Sequence, residues 1–207
     1  MNADRGCDHP SPDPVPPQRG RRLGSALVLL VLAAQVSACG SGSGQSGSAF
    51  TFLSVDSFGT TSAVTSSIDD VNSSTAVCVT LRNNLKNPTV TAPTSLDNVV
   101  IQSYTVRITR FDGGTVPTPF TIQTAVIVPA GTSAMGTVSG STASFAIILV
   151  PAQAKLEPAL RNSRFPISAT AEVIFRGRNG RGQQLETEGA VSLTFVGSGT
   201  DSAVSCG

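Results

Sequence analysis

Few side chains in this chain could do chemistry, and their positions narrow the choice further. The single histidine, His9, falls in a Pro-rich stretch ahead of an apolar run, so no imidazole follows that run. Ser-His-Asp and Cys-His nucleophilic sites therefore cannot be assembled there, and the commonest metal ligand is missing. No G-x-S-x-G elbow occurs. The only lysines, Lys86 and Lys155, stand outside the S-x-x-K spacing that a Ser–Lys dyad uses. Glu186 and Glu188 share one face of an expected strand. They read as solvated charges beside a hairpin rather than as a glycosidase pair across a cleft. Asp69, Asp70 and Asn72 offer oxygen ligands, but without the spacing of an EF-hand loop. The expectation is a non-enzymatic protein with no cofactor and no metal.

Arginine is the most suggestive group. Arg176, Arg178 and Arg181 cluster around Asn179-Gly180, and Arg161 and Arg164 lie in the connection before that strand. If the two regions met, five guanidinium groups could receive phosphate, an acidic polymer or a partner protein. The plainer reading is a hairpin kept soluble by charge and guarded against edge pairing. From Cys39 onward, ten basic residues balance ten acidic ones. A neutral domain has no long-range attraction for nucleic acid, which depends on neutralising many phosphates.

The amino-terminal segment carries the clearest address. Residues 1–18 are polar and contain five prolines, so they read as a disordered leader. Residues 19–38 follow the order of a secretory signal peptide. Arg19, Arg21 and Arg22 lead into the apolar helix-forming run Ala26–Ala34, and small residues end at Ala38. The apolar run is about half of the roughly 20 residues needed to span a bilayer, and Gln35 ends it.

Val36-Ser37-Ala38-Cys39 resembles the bacterial lipobox: an aliphatic residue, two small residues, then cysteine. Val36 is a mild departure, since Leu is the more frequent first residue. Small side chains let an extended backbone enter a peptidase cleft, and a thiol is readily alkylated. The resemblance implies cleavage between Ala38 and Cys39. It also implies a diacylglyceryl thioether on Cys39 and further acylation, such as palmitate, on the new amine. Two or three acyl chains, at about 0.8 kcal/mol per buried CH₂, hold a protein firmly on a membrane. Gly40 follows where Asp would resemble an inner-membrane retention signal, so the outer membrane is favoured in a Gram-negative host. Residues 39–48 form a Gly/Ser tether that behaves as a flexible coil.

Two further cysteines remain, Cys78 and Cys206. Thiols in an exported domain usually pair, the alternative being a redox-active or unpaired cysteine. Cys78 alternates with Val77, Val79 and Leu81, so it faces away from the core if they face in. The tail 197–207 is then expected to cross the outside of the sheet and be stapled there.

The elements that must position these groups are strands. Period-two runs are expected at Ala49–Asp56, Thr75–Arg82, Val99–Arg110, Phe120–Val128, Ser144–Val150, Ile167–Phe175 and Glu188–Val196. Tyr104, Val106 and Ile108 share one face, and Ile167, Ala169, Ala171, Val173 and Phe175 share another. Ser144–Val150 is nearly all apolar and reads as a central strand. Residues 59–74 and 131–143 read as loops, with an edge strand at most in the second. Asp112-Gly113 and Asn179-Gly180 mark hairpins. Ala152–Leu160 has room for one helical turn, interrupted by Pro158.

The fold class expected is all-β: a single antiparallel β-sandwich of seven or eight strands over residues 49–196, with a jelly roll or small barrel as the alternative. It resembles immunoglobulin-like and fibronectin-III-like envelope domains, although it lacks the antibody tryptophan, since the chain has none. The expected function is a lipid-anchored cell-envelope module, structural or protein-interacting, with membrane lipid as partner through Cys39. The alternative is a carbohydrate-binding module at the cell surface, but such modules stack sugars on exposed Trp or Tyr, and only Tyr104 is present.

Overall fold

A computed structural model describes residues 50–59, 63–86, 93–134, 137–204 and 206. The expected leader, signal peptide, Ala38, Cys39 and tether lie outside the described residues. Among the described residues, ten strands follow in order: β1 (Thr51–Phe58), β2 (Ala63–Ser67), β3 (Thr75–Leu85), β4 (Val99–Arg110), β5 (Phe120–Val128), β6 (Thr132–Ala134), β7 (Thr137–Ser139), β8 (Ser141–Val150), β9 (Ile167–Asn179) and β10 (Gln184–Val196). Two helical turns, Ala152–Lys155 and Pro158–Arg161, separate β8 from β9.

Eight strands form two packed sheets, β1-β3-β8 and β2-β10-β9-β4-β5, and β6-β7 is a separate small hairpin. Strands β1, β3 and β8 thus face the rest. All pairings are antiparallel except β2 on β10, which is parallel.

The strand faces follow the local alternation. Tyr104, Val106 and Ile108 of β4 point inward, as do all five alternating residues of β9 and Val191, Leu193 and Phe195 of β10. Opposing them are Leu53, Val77, Val79, Leu81, Ile147 and Leu149 from the smaller sheet. Tyr104 and Phe175 face each other in register with ring centroids 6.0 Å apart, and Phe145 meets Phe175 edge-on at 6.2 Å. Such aromatic pairs add about 0.5–1.5 kcal/mol beyond their burial. The Tyr104 hydroxyl oxygen accepts the Ile148 N–H at 2.9 Å, so β4 of one sheet is bonded to β8 of the other.

Ile101 and Tyr104 both face in, although three residues apart, because β4 carries a bulge between Ile101 and Ser103. Gly177 sits opposite Ile101. A Cβ there would come within 2.7 Å of the Val100 carbonyl oxygen, so the close approach admits only glycine.

Several local expectations change. The stretch read as a loop after β1 contains β2, a short strand of Ala, Val, Thr and Ser that β10 recruits in parallel. The apolar β8 is an edge strand, not a central one. Its apolar run supplies Ile147, Leu149 and Val150 to the core, and β5 and Tyr104 of the other sheet pack against it. At the β9–β10 hairpin the positive φ belongs to Gly182 (81°), not Gly180. Gly113 does adopt a positive φ (69°), but residues 114–119 intervene before β5, so that connection is no tight hairpin. Pro158 begins the second helical turn at its first position, where a missing N–H costs nothing.

Candidate functional site

Charge in this domain holds its connections down. The most buried example is Lys155, whose side chain is 0% exposed. It closes the first helical turn, and its Nζ donates to the Asp70 carbonyl (3.1 Å) and to Asp201 Oδ2 (2.8 Å). The same Oδ2 accepts Thr75 Oγ1 at 2.9 Å, and Oδ1 accepts the Ser67 N–H at 2.7 Å. One carboxylate from the tail thus ties together β2, β3 and the segment after β8. Burial works to raise the Asp201 carboxyl, but the hydrogen bonds from Lys155, Ser67 and Thr75, with the lysine charge, hold it below the usual range.

The tail continues this tie. Ser202 donates its N–H to the Thr65 carbonyl and accepts the Thr65 N–H on Oγ, which covers the free edge of β2. Four residues on, Cys206 is disulfide-bonded to Cys78, with Cα atoms 5.3 Å apart. Cys78 lies on the β3 face opposite Val77 and Val79, as the alternation requires.

Arg110 makes a second tie. It continues the inward parity of Val106 and Ile108, and each of its three guanidinium nitrogens has a partner. Nε and Nη2 grip Asp112, while Nη1 donates to the Thr115 and Ala159 carbonyls and to Ser163 Oγ. The Arg110 guanidinium beside Asp112 lowers that carboxyl to about 2. Glu157 adds to the tie by accepting the Thr118 N–H.

The three candidate arginines are placed separately. Arg176 pairs across the strands with Glu186 at 2.7 Å, so one of the two candidate carboxylates is occupied by it. Arg178 donates to the Gly182 carbonyl within the hairpin. Arg181 turns away to Asp97, a buried residue, at 2.8 Å. The hydrogen bond from Arg181 holds the Asp97 carboxyl below its ordinary value, and the Thr94 N–H and hydroxyl act the same way against burial. Arg161 and Arg164 do not join them. They precede β9 and the others follow or end it, and thirteen residues of strand span roughly 40 Å.

Glu188 lines an open groove with Asp56, Val55 and Phe58, between β1 and the half of β10 that β2 does not cover. Asp70 accepts Ser73 Oγ at 2.6 Å. Among the described residues, no three side chains of His, Cys, Asp or Glu type gather as a metal set. Sequence reasoning missed Lys155, Asp201, Arg110 and Asp97. Arg110 alone carried a signal, since strand parity puts it on the core side. Nothing periodic marks a tail aspartate or a lysine in a four-residue helix.

The fold and these ties define a disulfide-clasped all-β sandwich. No family model matches the chain, and neither does any curated protein or solved structure.

Proposed function

We propose that the chain is a lipid-anchored cell-envelope protein whose sandwich serves as a non-enzymatic structural or protein-interaction module. The observation that carries the reading is Val36-Ser37-Ala38-Cys39 at the close of an apolar run, followed at once by a Gly/Ser tether. The Cys78–Cys206 disulfide supports it, because such bonds persist in oxidising compartments. The carbohydrate alternative loses its tyrosine platform, since Tyr104 is 4% exposed and bonded to Ile148.

Expression of the full chain in a bacterial host tests the anchor. The membrane fraction should contain a protein that begins at an acylated Cys39 by intact mass. Cys39→Ser should move to the soluble fraction. A membrane-bound protein with an unmodified amino terminus elsewhere overturns the reading. Crosslinking in native envelopes then tests the interaction role, and an outer-membrane location is checked by density separation of the two membranes.

A further inference from the structure

We infer that one end of the sandwich, where the tether joins, rests on the lipid surface that holds Cys39. Phe50, Leu96, Val100 and Ile127 would make the apolar contact, with Arg178 and Arg181 at the level of the headgroups. This rests on the anchor reading above and adds which face of the domain meets the bilayer.

Chain geometry gives the first argument. Phe50 immediately precedes β1, and its carbonyl accepts the Lys86 N–H at 2.9 Å, so this end also receives the end of β3. Ten residues separate Phe50 from Cys39. A Gly/Ser segment of that length has an r.m.s. span of about 17 Å and a limit of about 35 Å. The end of the domain bearing Phe50 is therefore kept close to the attachment point.

The apolar side chains at this end sit on or beside the β9–β10 hairpin. Phe50, 55% exposed, lies beneath Arg181, whose guanidinium carbon is 5.2 Å from the ring centroid. Leu96, 51% exposed, packs on the same hairpin at Gly180, where a Cβ would meet the Leu96 Cα at 2.9 Å. Val100 stands in register with Arg178 on one side and with Ile127, 58% exposed, on the other. Exposed apolar side chains gathered at one end of a domain mark a contact site. Arginine suits its rim, because the stem lies along apolar surface while the guanidinium reaches phosphate.

The sign of the charge gives the second argument. The exposed ionised groups described at this end are cationic: Lys86 and Arg178, with Arg181 beside them. Asp97, the carboxylate among them, is 4% exposed and bound to Arg181. Further along the strands, Asp56 and Glu186 are already paired with Arg82 and Arg176. The opposite end mixes both signs, with Arg161 and Arg164 exposed beside Asp69, Asp70 and Asp112. An anionic leaflet attracts the first end and discriminates against the second.

The absence of tryptophan from the sequence makes the test direct, since one introduced indole has no background. Acylated full-chain protein carrying Ile127→Trp or Leu96→Trp is reconstituted in phosphatidylethanolamine–phosphatidylglycerol vesicles, with and without brominated acyl chains. Phe111→Trp, at the opposite end and 71% exposed, is the control. Brominated lipid should quench the first two reporters at least twofold with a blue shift, and leave the control within about a tenth of its value. Lys86→Glu with Arg178→Glu should remove most of that quenching. Flotation without quenching at 127 and 96 overturns the inference and leaves the anchor standing. Equal quenching at all three positions, or emission that follows protein density rather than bromine, overturns it in favour of non-specific adsorption or self-association. A protein that lacks acyl groups at Cys39 and fails to float overturns the anchor and the face together.

Discussion

Lys155 Nζ lies 2.8 Å from Asp201 Oδ2 across forty-six residues of sequence, and the lysine has no contact with water. The pair joins the last segment of the chain to the sandwich from inside, while the Cys78–Cys206 bond joins it from outside. Breaking a buried pair from one side leaves an uncompensated charge, at about 3–5 kcal/mol. Asp201→Ala and Lys155→Met should each lose that much stability in urea unfolding. The double variant should lose clearly less than the sum, giving a coupling of more than about 1 kcal/mol. Additive losses would show that the two groups do not interact.

Acid should weaken the protein through the same carboxylates. Asp201, Asp97 and Asp112 all have folded pKa values below the unfolded value of 3.8, with Asp112 at about 2. Carboxyls of this kind hold a proton less readily when folded. Their contribution is complete above the unfolded pKa and is lost as pH falls through the folded one. The melting temperature should be flat from neutral pH to about 5 and fall below about 4. Asp201→Asn should start lower and show a shallower acid slope.

Removing the disulfide should act through the unfolded chain. The bond closes a separation of 128 residues, which corresponds to roughly 4–5 kcal/mol in the chain-entropy model. Cys78→Ala with Cys206→Ala should lower the urea midpoint accordingly. It should also speed amide exchange at Thr65 and Ser202, because the tail bonds lose their outer fastening. Without reductant, Cys78 and Cys206 should resist thiol labelling in the wild-type protein, and labelling of both would contradict the bond.

Tyr104→Phe keeps the ring against Phe175 but removes the acceptor for the Ile148 N–H. A buried donor left without a partner costs about 1–3 kcal/mol. Thermal unfolding should show that loss, and hydrogen exchange should accelerate at Ile148 far more than at its neighbours in β8. A loss confined to the β4 side would mean that the hydroxyl does not join the sheets.

How far the sequence alone could be read follows from what is local. β4 and β5 have the bounds that the alternation indicates, and the inward faces of β9 and β10 are as expected. Side-chain direction in a strand depends only on neighbours along the chain, so period two suffices. Cys78 opposite Val77 and Val79 was legible for the same reason. The expected meeting of Arg161 and Arg164 with Arg176, Arg178 and Arg181 depended instead on strand direction, and β9 holds the groups apart.

The sequence by itself thus determined the all-β class and the strand faces, and it pointed to the pairing of Cys78 with Cys206. Tertiary structure alone decided that β2 joins β10 in parallel, that β8 is an edge, and that Lys155 and Asp201 meet. The physical reason is range. Hydrophobic alternation is written in adjacent residues, whereas a short polar strand or a lone buried charge is stable only once a distant segment supplies the missing hydrogen bonds.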